Sequence, residues 1–162
     1  MQKITTNLWF DTQAEEAARF YCSIFTSSEI AGISRYGKEG FEVHGMAEGT
    51  VMTVDFQLEG QQFVALNGGP HFKFNEAISF IVHCETQEEV DYYWEKLGEG
   101  GDPDAQQCGW LKDRYGVSWQ IVPNQLADLL ANPDPEKAQR AMRAMLAMKK
   151  LDIEMMKQAA EG

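Results

Sequence analysis

Residues 117–122 (VSWQIV) alternate up to Val122: Val117, Trp119 and Ile121 fall on one side, Ser118, Gln120 and Val122 on the other. A period of two predicts a strand with one buried face. The same period runs through residues 4–10, 78–84 and the stretches TVMTVDFQL and QQFVALN, with a hairpin signal at Glu59–Gly60 between the last two. Elsewhere the period lengthens to that of a helix. Ala17, Phe20, Tyr21 and Ile24 form one apolar stripe, and Val90, Tyr93, Trp94 and Leu97 another. Each stripe follows a strand and a Thr-Gln pair with a glutamate in reach, Thr12 with Glu15 and Thr86 with Glu89. Both arrangements predict capping boxes, in which the threonine oxygen accepts an orphan helix N–H and the glutamate reaches back.

Two matching contexts of this kind imply a duplicated unit. Each half reads as strand, helix and three strands. In the second half the three strands after the helix are a weaker one near residues 104–107, then 109–112 and 117–122. The first module spans residues 1–75 and carries a loop at 37–49, whose four glycines suggest mobility. The second spans 76–123. From 124 to 162 the pattern turns helical. A short helix is expected at 124–131, NPDP is a stop and restart, and one long helix is expected from 136 to 160, capped by Asp134 with Pro135 in its first turn. That helix packs its Met-rich stripe on the domain or on a second copy.

Composition narrows the function classes. The 162 residues, 44% of them hydrophobic, suffice for a sizeable core. With 25 acidic against 14 basic side chains, the net charge of −11 disfavours nucleic acid and anionic membranes. No apolar run is long enough to span a bilayer. Three widely spaced cysteines suit reduced thiols in a cytoplasm.

The segments FDTQAEEAARFY (10–21), ALNGGPHFKFNEAISF (65–80) and CGWLKDRYGVSWQIVP (108–123) resemble the glyoxalase/bleomycin-resistance/extradiol-dioxygenase (vicinal oxygen chelate) superfamily. Within it they resemble the PhnB-like branch, labelled demethylubiquinone methyltransferase-like. The resemblance implies an α+β fold of two βαβββ modules whose strands curl into a mixed-sheet cup, followed by C-terminal helices. It also implies a homodimer. Metal-using relatives hold a divalent ion in the cup through the first and last strands of each module. By eye those positions fall on Thr5, the neighbourhood of Asn67, Ser79 and Gln120. Hydroxyls and amides are poor ligands for zinc, nickel or iron, so no metal and no cofactor is expected. A nucleotide-binding methyltransferase would need a Gly-rich turn opening a helix. Asn67-Gly68-Gly69-Pro70 instead reads as a turn.

Candidate ligand contacts are Thr5, Asn7, Trp9, Asn67, Phe72, Phe74, Ser79, Trp110 and Gln120, a sparse polar set among aromatics. Asp55 alternates with Thr53 and Gln57. That row is either a solvated sheet face or a cup lining, and in the second case Asp55 becomes an acid–base candidate. His83 shares the parity of Ser79 and Ile81 and is the other catalytic candidate. Asp11 and Asp113 sit where aspartate commonly shapes turns, and Cys108 reads as a small buried residue. The favoured function is a metal-free protein that binds a small, partly aromatic or apolar molecule by stacking on Trp9 and the Phe72/Phe74 segment, with side-chain amides and hydroxyls orienting it. The rival is an enzyme of the same superfamily.

Overall fold

The alternation in the first 70 residues closes into a four-stranded sheet with one helix across it. In this computed structural model, which describes residues 2–162, the elements are β1 (Thr6–Phe10), α1 (Ala14–Ile24), β2 (Ser28–Arg35), α2 (Phe41–His44), β3 (Val51–Leu58) and β4 (Gln61–Asn67). The strand order is β1-β4-β3-β2, with β1 parallel to β4 and the other pairs antiparallel. The expected βαβββ unit is therefore present. Glu59 and Gly60 turn the β3–β4 hairpin with φ of 50° and 83°, the twist that two-residue hairpins need.

Burial follows the parity. Leu8, Phe10, Val54, Phe56, Leu58, Phe63 and Ala65 are all buried, as are Ala14, Ala17, Ala18, Tyr21 and Ile24 of α1. The opposite sheet face carries Asn7 and Trp9 from β1, Gln62, Val64 and Leu66 from β4, and Thr53, Asp55 and Gln57 from β3. The 37–49 insert holds the helical turn α2, and its ends are pinned by Tyr36 N–H to the Thr50 oxygen and Gly49 N–H to the Tyr36 oxygen, both 2.8 Å.

One predicted capping box is absent. Neither Thr12 nor Glu15 caps α1. Asn67 at the end of β4 does so instead, its Oδ1 accepting from Ala14 N–H at 2.8 Å. The second box forms. Thr86 Oγ1 accepts from Glu89 N–H at 3.2 Å, while the Glu89 carboxylate accepts from Glu85 N–H at 2.6 Å.

The chain divides after Phe74, and the second unit runs Asn75–Gly162. It contains β5 (Ser79–Cys84), α3 (Gln87–Gly98), β6 (Trp110–Lys112), β7 (Ser118–Pro123), α4 (Gln125–Leu130), α5 (Pro135–Leu146) and α6 (Ile153–Glu161). Its sheet is ordered β5-β7-β6, again with the first strand parallel to the last. The repeat thus survives in topology, but as two separate mixed sheets of four and three strands. The strand expected near 104–107 is missing. Pro103 has no N–H to give a ladder, and Asp102 turns the chain by accepting from Asp104 N–H, which leaves a 3-10 turn at Pro103–Ala105 and a single bridge from Gln107 to Trp110.

The expected long C-terminal helix is two helices, although neither glycine nor proline lies between them. Helix α5 begins as predicted, with Asp134 accepting from Glu136 N–H and Pro135 in the first turn. It stops because its next carbonyls are taken from outside. Cys108 N–H donates to the Met148 oxygen at 2.9 Å and Gly109 N–H to the Lys149 oxygen at 2.8 Å. A continuing helix would need those acceptors for residues 152 and 153. Gln87 brackets the break with its amide, donating to the Leu151 oxygen at 3.0 Å and accepting from Ile153 N–H at 2.8 Å. Asp152 then caps α6 through Met155 N–H. Leu151 is fully buried beside Gly109, whose φ of 85° suits glycine and where a Cβ would lie 3.0 Å from the leucine Cδ1. Leu151→Ala should therefore cost about 2–5 kcal/mol, read from the urea midpoint. Among the described residues no helix is long and apolar enough to cross a membrane.

Candidate functional site

Parity places Gln120 where the sequence puts it, on the sheet face away from α3, and the structure supplies its partner. Gln120 Nε2 donates to Ser79 Oγ at 2.9 Å across the parallel β5–β7 pair. The same face carries Ile81, Trp110 and His83, with Ile81 in register with Gln120, Trp110 opposite it and His83 beside Val122. His83 and Ile81 are exposed. Lys112 forms an ion pair with Glu76, and that contact holds the glutamate carboxyl below its usual range.

On the first unit, Asp55 sits mid-strand between Val64 of β4 and Gly32 of β2. Around it lies a groove of about 500 Å³, lined by Thr5, Glu29, Asp55, Gln57, Gln62 and Val64 among others, with no cationic side chain. Bulky residues are missing from this stretch of the face. Gly32 stands directly beside Asp55, and a Cβ there would lie 3.8 Å from Asp55 Oδ2. Gln57 is held in place, donating to Glu29 at 3.4 Å and accepting from Gly60 N–H at 2.8 Å. The groove thus presents two carboxylates and the ordered amide of Gln57, with Ala31, Phe56, Phe63 and Val64 as its apolar lining.

The aromatic candidates separate. Trp9 packs its ring on Gly68, so closely that a Cβ would lie 2.1 Å from Trp9 Cζ2, and its Nε1 donates to the Gly69 oxygen at 2.9 Å. The glycine pair therefore serves the indole. Phe72 meets Trp9 edge-on at 4.9 Å and is 65% exposed. Phe74 packs edge-on against Phe10, a residue of the helix-facing side, so the two phenylalanines diverge. Asn7 lies exposed beside Val64. Asn67 faces away from the groove side. It is 4% exposed, and while its Oδ1 caps α1, its Nδ2 donates to the Val51 oxygen at 3.1 Å.

Sequence reasoning read Asp113 as an ordinary turn residue and missed its main work. Its carboxylate is 3% exposed and accepts from Tyr115 N–H, Val117 N–H and Trp119 Nε1 at 2.8, 3.0 and 2.9 Å. The available signal was a tryptophan on the buried parity six residues later, whose indole N–H needs an acceptor.

The cysteines offer no nucleophile with a base. Cys22, Cys84 and Cys108 are all free thiols. Cys108 is only half-buried, unlike the buried residue expected, because at φ 52° it turns its thiol toward the Leu146 oxygen at 3.6 Å. Burial, with the nearby Glu89 charge, pushes Cys84 up to about 12. Iodoacetamide at pH 8 should leave Cys84 unlabelled in folded protein and modify it once urea exposes it, which peptide mass spectrometry reads directly.

The positions at which the sequence resemblance would set a divalent ion are Thr5, the neighbourhood of Asn67, Ser79 and Gln120. The residues do not fit one. Ser79 and Gln120 are bonded to each other, Asn67 is engaged at both ends of its amide, and among the described residues no three of His, Cys, Asp or Glu come together.

Comparison with known proteins places the chain. Residues 2–122 match the family model of 3-demethylubiquinone-9 3-methyltransferase. The PhnB protein of Bacillus cereus is 43% identical, with a TM-score of 0.63 over 75% of this chain and 99% of that one. PA1353 of Pseudomonas aeruginosa shares the fold at 17% identity, with a TM-score of 0.58 over 76% and 98% of the two chains. The fosfomycin resistance protein FosX of Listeria monocytogenes matches at 14% identity and a TM-score of 0.49, over 79% and 97%. No curated protein matches significantly. The chain belongs to the 3-demethylubiquinone-9 3-methyltransferase family, to which the PhnB protein of Bacillus cereus is likewise assigned.

Proposed function

We propose that the protein binds a small polar molecule, neutral or cationic, in the groove around Asp55. The observation that carries this reading is the groove itself: about 500 Å³ of concave sheet surface, with Asp55 and Glu29 as acceptors and no cation to attract an anion. The volume suits a small organic ligand. Thr5, Gln57 and Gln62 supply hydroxyl and amide partners, and Val64 an apolar contact. Trp9 and Phe72 are placed as neighbours that shape the face rather than as the stacking platform, because the indole N–H and ring are already engaged. The Ser79–Gln120 face of the second unit remains a candidate for polar contacts, with Trp110 and His83 beside it. The free thiols suit a reducing cytoplasm.

The family label carries a methyl-transfer reading, and the superfamily an enzymatic one. For either, Asp55 is the side chain placed to accept a proton in the groove. The test is a titration panel of small amines, polyols, amides and carboxylates against the protein and Asp55→Asn. Binders should come from the first three classes, and the substitution should weaken a cationic binder roughly 10- to 100-fold, the effect of removing a charged hydrogen-bond partner. Binding confined to carboxylates, or unchanged in Asp55→Asn, would refute the assignment.

A further inference from the structure

A glycine inside a β-strand costs stability, because it packs no side chain and loses more backbone freedom on folding than any other residue. Among the described residues Gly32 is the only glycine within a strand. The usual reasons for one are missing. Its φ lies outside the left-handed region that suits Gly60 and Gly109, so any residue could take its backbone conformation. Packing does not exclude a side chain either. At Gly68 the Trp9 ring fills the space, but at Gly32 an added Cβ would meet nothing within 4 Å except Asp55 Oδ2, at 3.8 Å, which is ordinary contact. The register slips between Ile30 and Gly32, and Ala31 joins the groove lining. A bulge demands glycine where its residue turns left-handed, which Gly32 does not.

The vacant space borders the charge at the centre of the groove. Asp55 is exposed, and among the described residues it has no hydrogen-bond or ion-pair partner. Gly32 flanks it on β2 and Val64 on β4. That arrangement separates ligand classes. A hydroxyl or a primary ammonium on a slim chain reaches Oδ2 with either glycine or alanine at position 32, since a Cβ 3.8 Å away leaves the oxygen accessible. A nitrogen that carries alkyl groups brings carbon atoms alongside the oxygen. Those carbons need the wall cut back, and the bare Gly32 backbone gives them a surface to lie on. An N–H on the same nitrogen then donates to the carboxylate in a charge-assisted bond.

We infer that Gly32 is the specificity-determining residue of the groove, and that the group it admits is a secondary or tertiary ammonium. Its alkyl groups lie against the Gly32 backbone, beside Ala31 and Val64, and its N–H meets Asp55. This rests on the placement of a ligand beside Asp55 and narrows that ligand to one class of organic cation. The strand gives up stability for the opening, so Gly32→Ala should unfold at a urea midpoint equal to or above that of wild type.

Calorimetric titration of the full chain at pH 7 tests it, with wild type and Gly32→Ala against ethanolamine, N-methylethanolamine and N,N-dimethylethanolamine. In wild type each added methyl should tighten binding about fourfold, the effect of removing one methyl group from water. In Gly32→Ala the dimethyl compound should lose roughly tenfold, the scale of a methyl-sized misfit, while ethanolamine changes by less than about twofold. The ratio between probes within one protein is the deciding readout, because a general disturbance of the sheet weakens all three alike. Equal weakening of the three amines, or one rank order in both proteins, would overturn the role of Gly32 and the ligand class while leaving the Asp55 groove standing. A Gly32→Ala midpoint below wild type would show that the strand needs glycine for its own fold, and would overturn the inference too. Wild type that binds none of the amines would overturn the placement beside Asp55 and this inference with it.

Discussion

Replacing Asp113 by alanine should lower stability by about 3–5 kcal/mol, the sum expected when several N–H donors lose a shared charged acceptor. The carboxylate closes the turn between β6 and β7 by accepting two backbone N–H groups, and it also fixes the indole of Trp119. Trp119 is 3% exposed and lies in register with Phe80 of β5 and Leu111 of β6, so the loss reaches all three strands of the second sheet. Alanine removes the acceptor from two buried donors, Val117 N–H and Trp119 Nε1, and from the half-buried Tyr115 N–H. Asparagine is the sharper variant. It keeps one oxygen for the backbone amides but sets its NH2 against the Trp119 N–H, two donors face to face. Asp113→Asn should therefore still cost about 2–3 kcal/mol. Urea titration followed by tryptophan fluorescence measures both, and a midpoint shift at constant slope identifies a loss of stability rather than a change in the unfolded chain.

The second large effect is expected at Asn67. Its amide joins three elements: it lies at the end of β4, caps α1 through Ala14 N–H and ties the start of β3 through the Val51 oxygen. Asn67→Asp preserves shape and the cap, but an ionised oxygen then faces the Val51 carbonyl in a site that is 4% exposed. The cost should be about 2–4 kcal/mol at pH 8. It should shrink toward pH 4, because a protonated carboxyl again donates to that carbonyl. Asn67→Ala loses both bonds at every pH, so its deficit should be flat across the same range. Paired denaturation curves at pH 4 and pH 8 distinguish the two.

These two residues also mark what the sequence could and could not convey. Strand parity is a local property, and it correctly put Ser79 and Gln120 on one face and Trp119 and Ile121 on the other. The Thr86–Glu89 box is equally local, and it formed. Thr12 and Glu15 offered the same local pattern, yet α1 took its cap from Asn67, 53 residues away from Ala14. A short-range motif cannot reveal such a competitor. The break at residues 147–152 has no local cause either. It comes from backbone N–H groups of Cys108 and Gly109 and from the Gln87 amide, none adjacent in sequence. The missing strand near 104–107 was legible in principle, since Asp102-Pro103 is a turn signal that outweighs weak alternation.

The same distinction explains the candidate site. Alternation identified the Thr53–Asp55–Gln57 row but left open whether the face was merely solvated. Concavity depends on neighbours, above all the glycine at position 32 in register with Asp55. The aromatic platform expected from Trp9, Phe72 and Phe74 depended on ring orientation. Gly68 draws the Trp9 indole down onto the backbone, and Phe10 draws Phe74 to the opposite side of β1. Polar side chains that looked alike in sequence thus divide into two groups. Asn67 and Asp113 are buried and engaged by backbone, whereas Asp55 and Glu29 are exposed to whatever enters the groove.

The most direct test is a chemical-shift map of backbone and side-chain amides, recorded while the strongest binder from the titration panel is added. Saturable shifts should concentrate on Thr5, Asp55, Gln57, Gln62 and Val64, with Asn67 and Asp113 unmoved. Shifts centred instead on Trp9 and Phe72, or on the Ser79–Gln120 pair, would contradict the placement of the ligand beside Asp55.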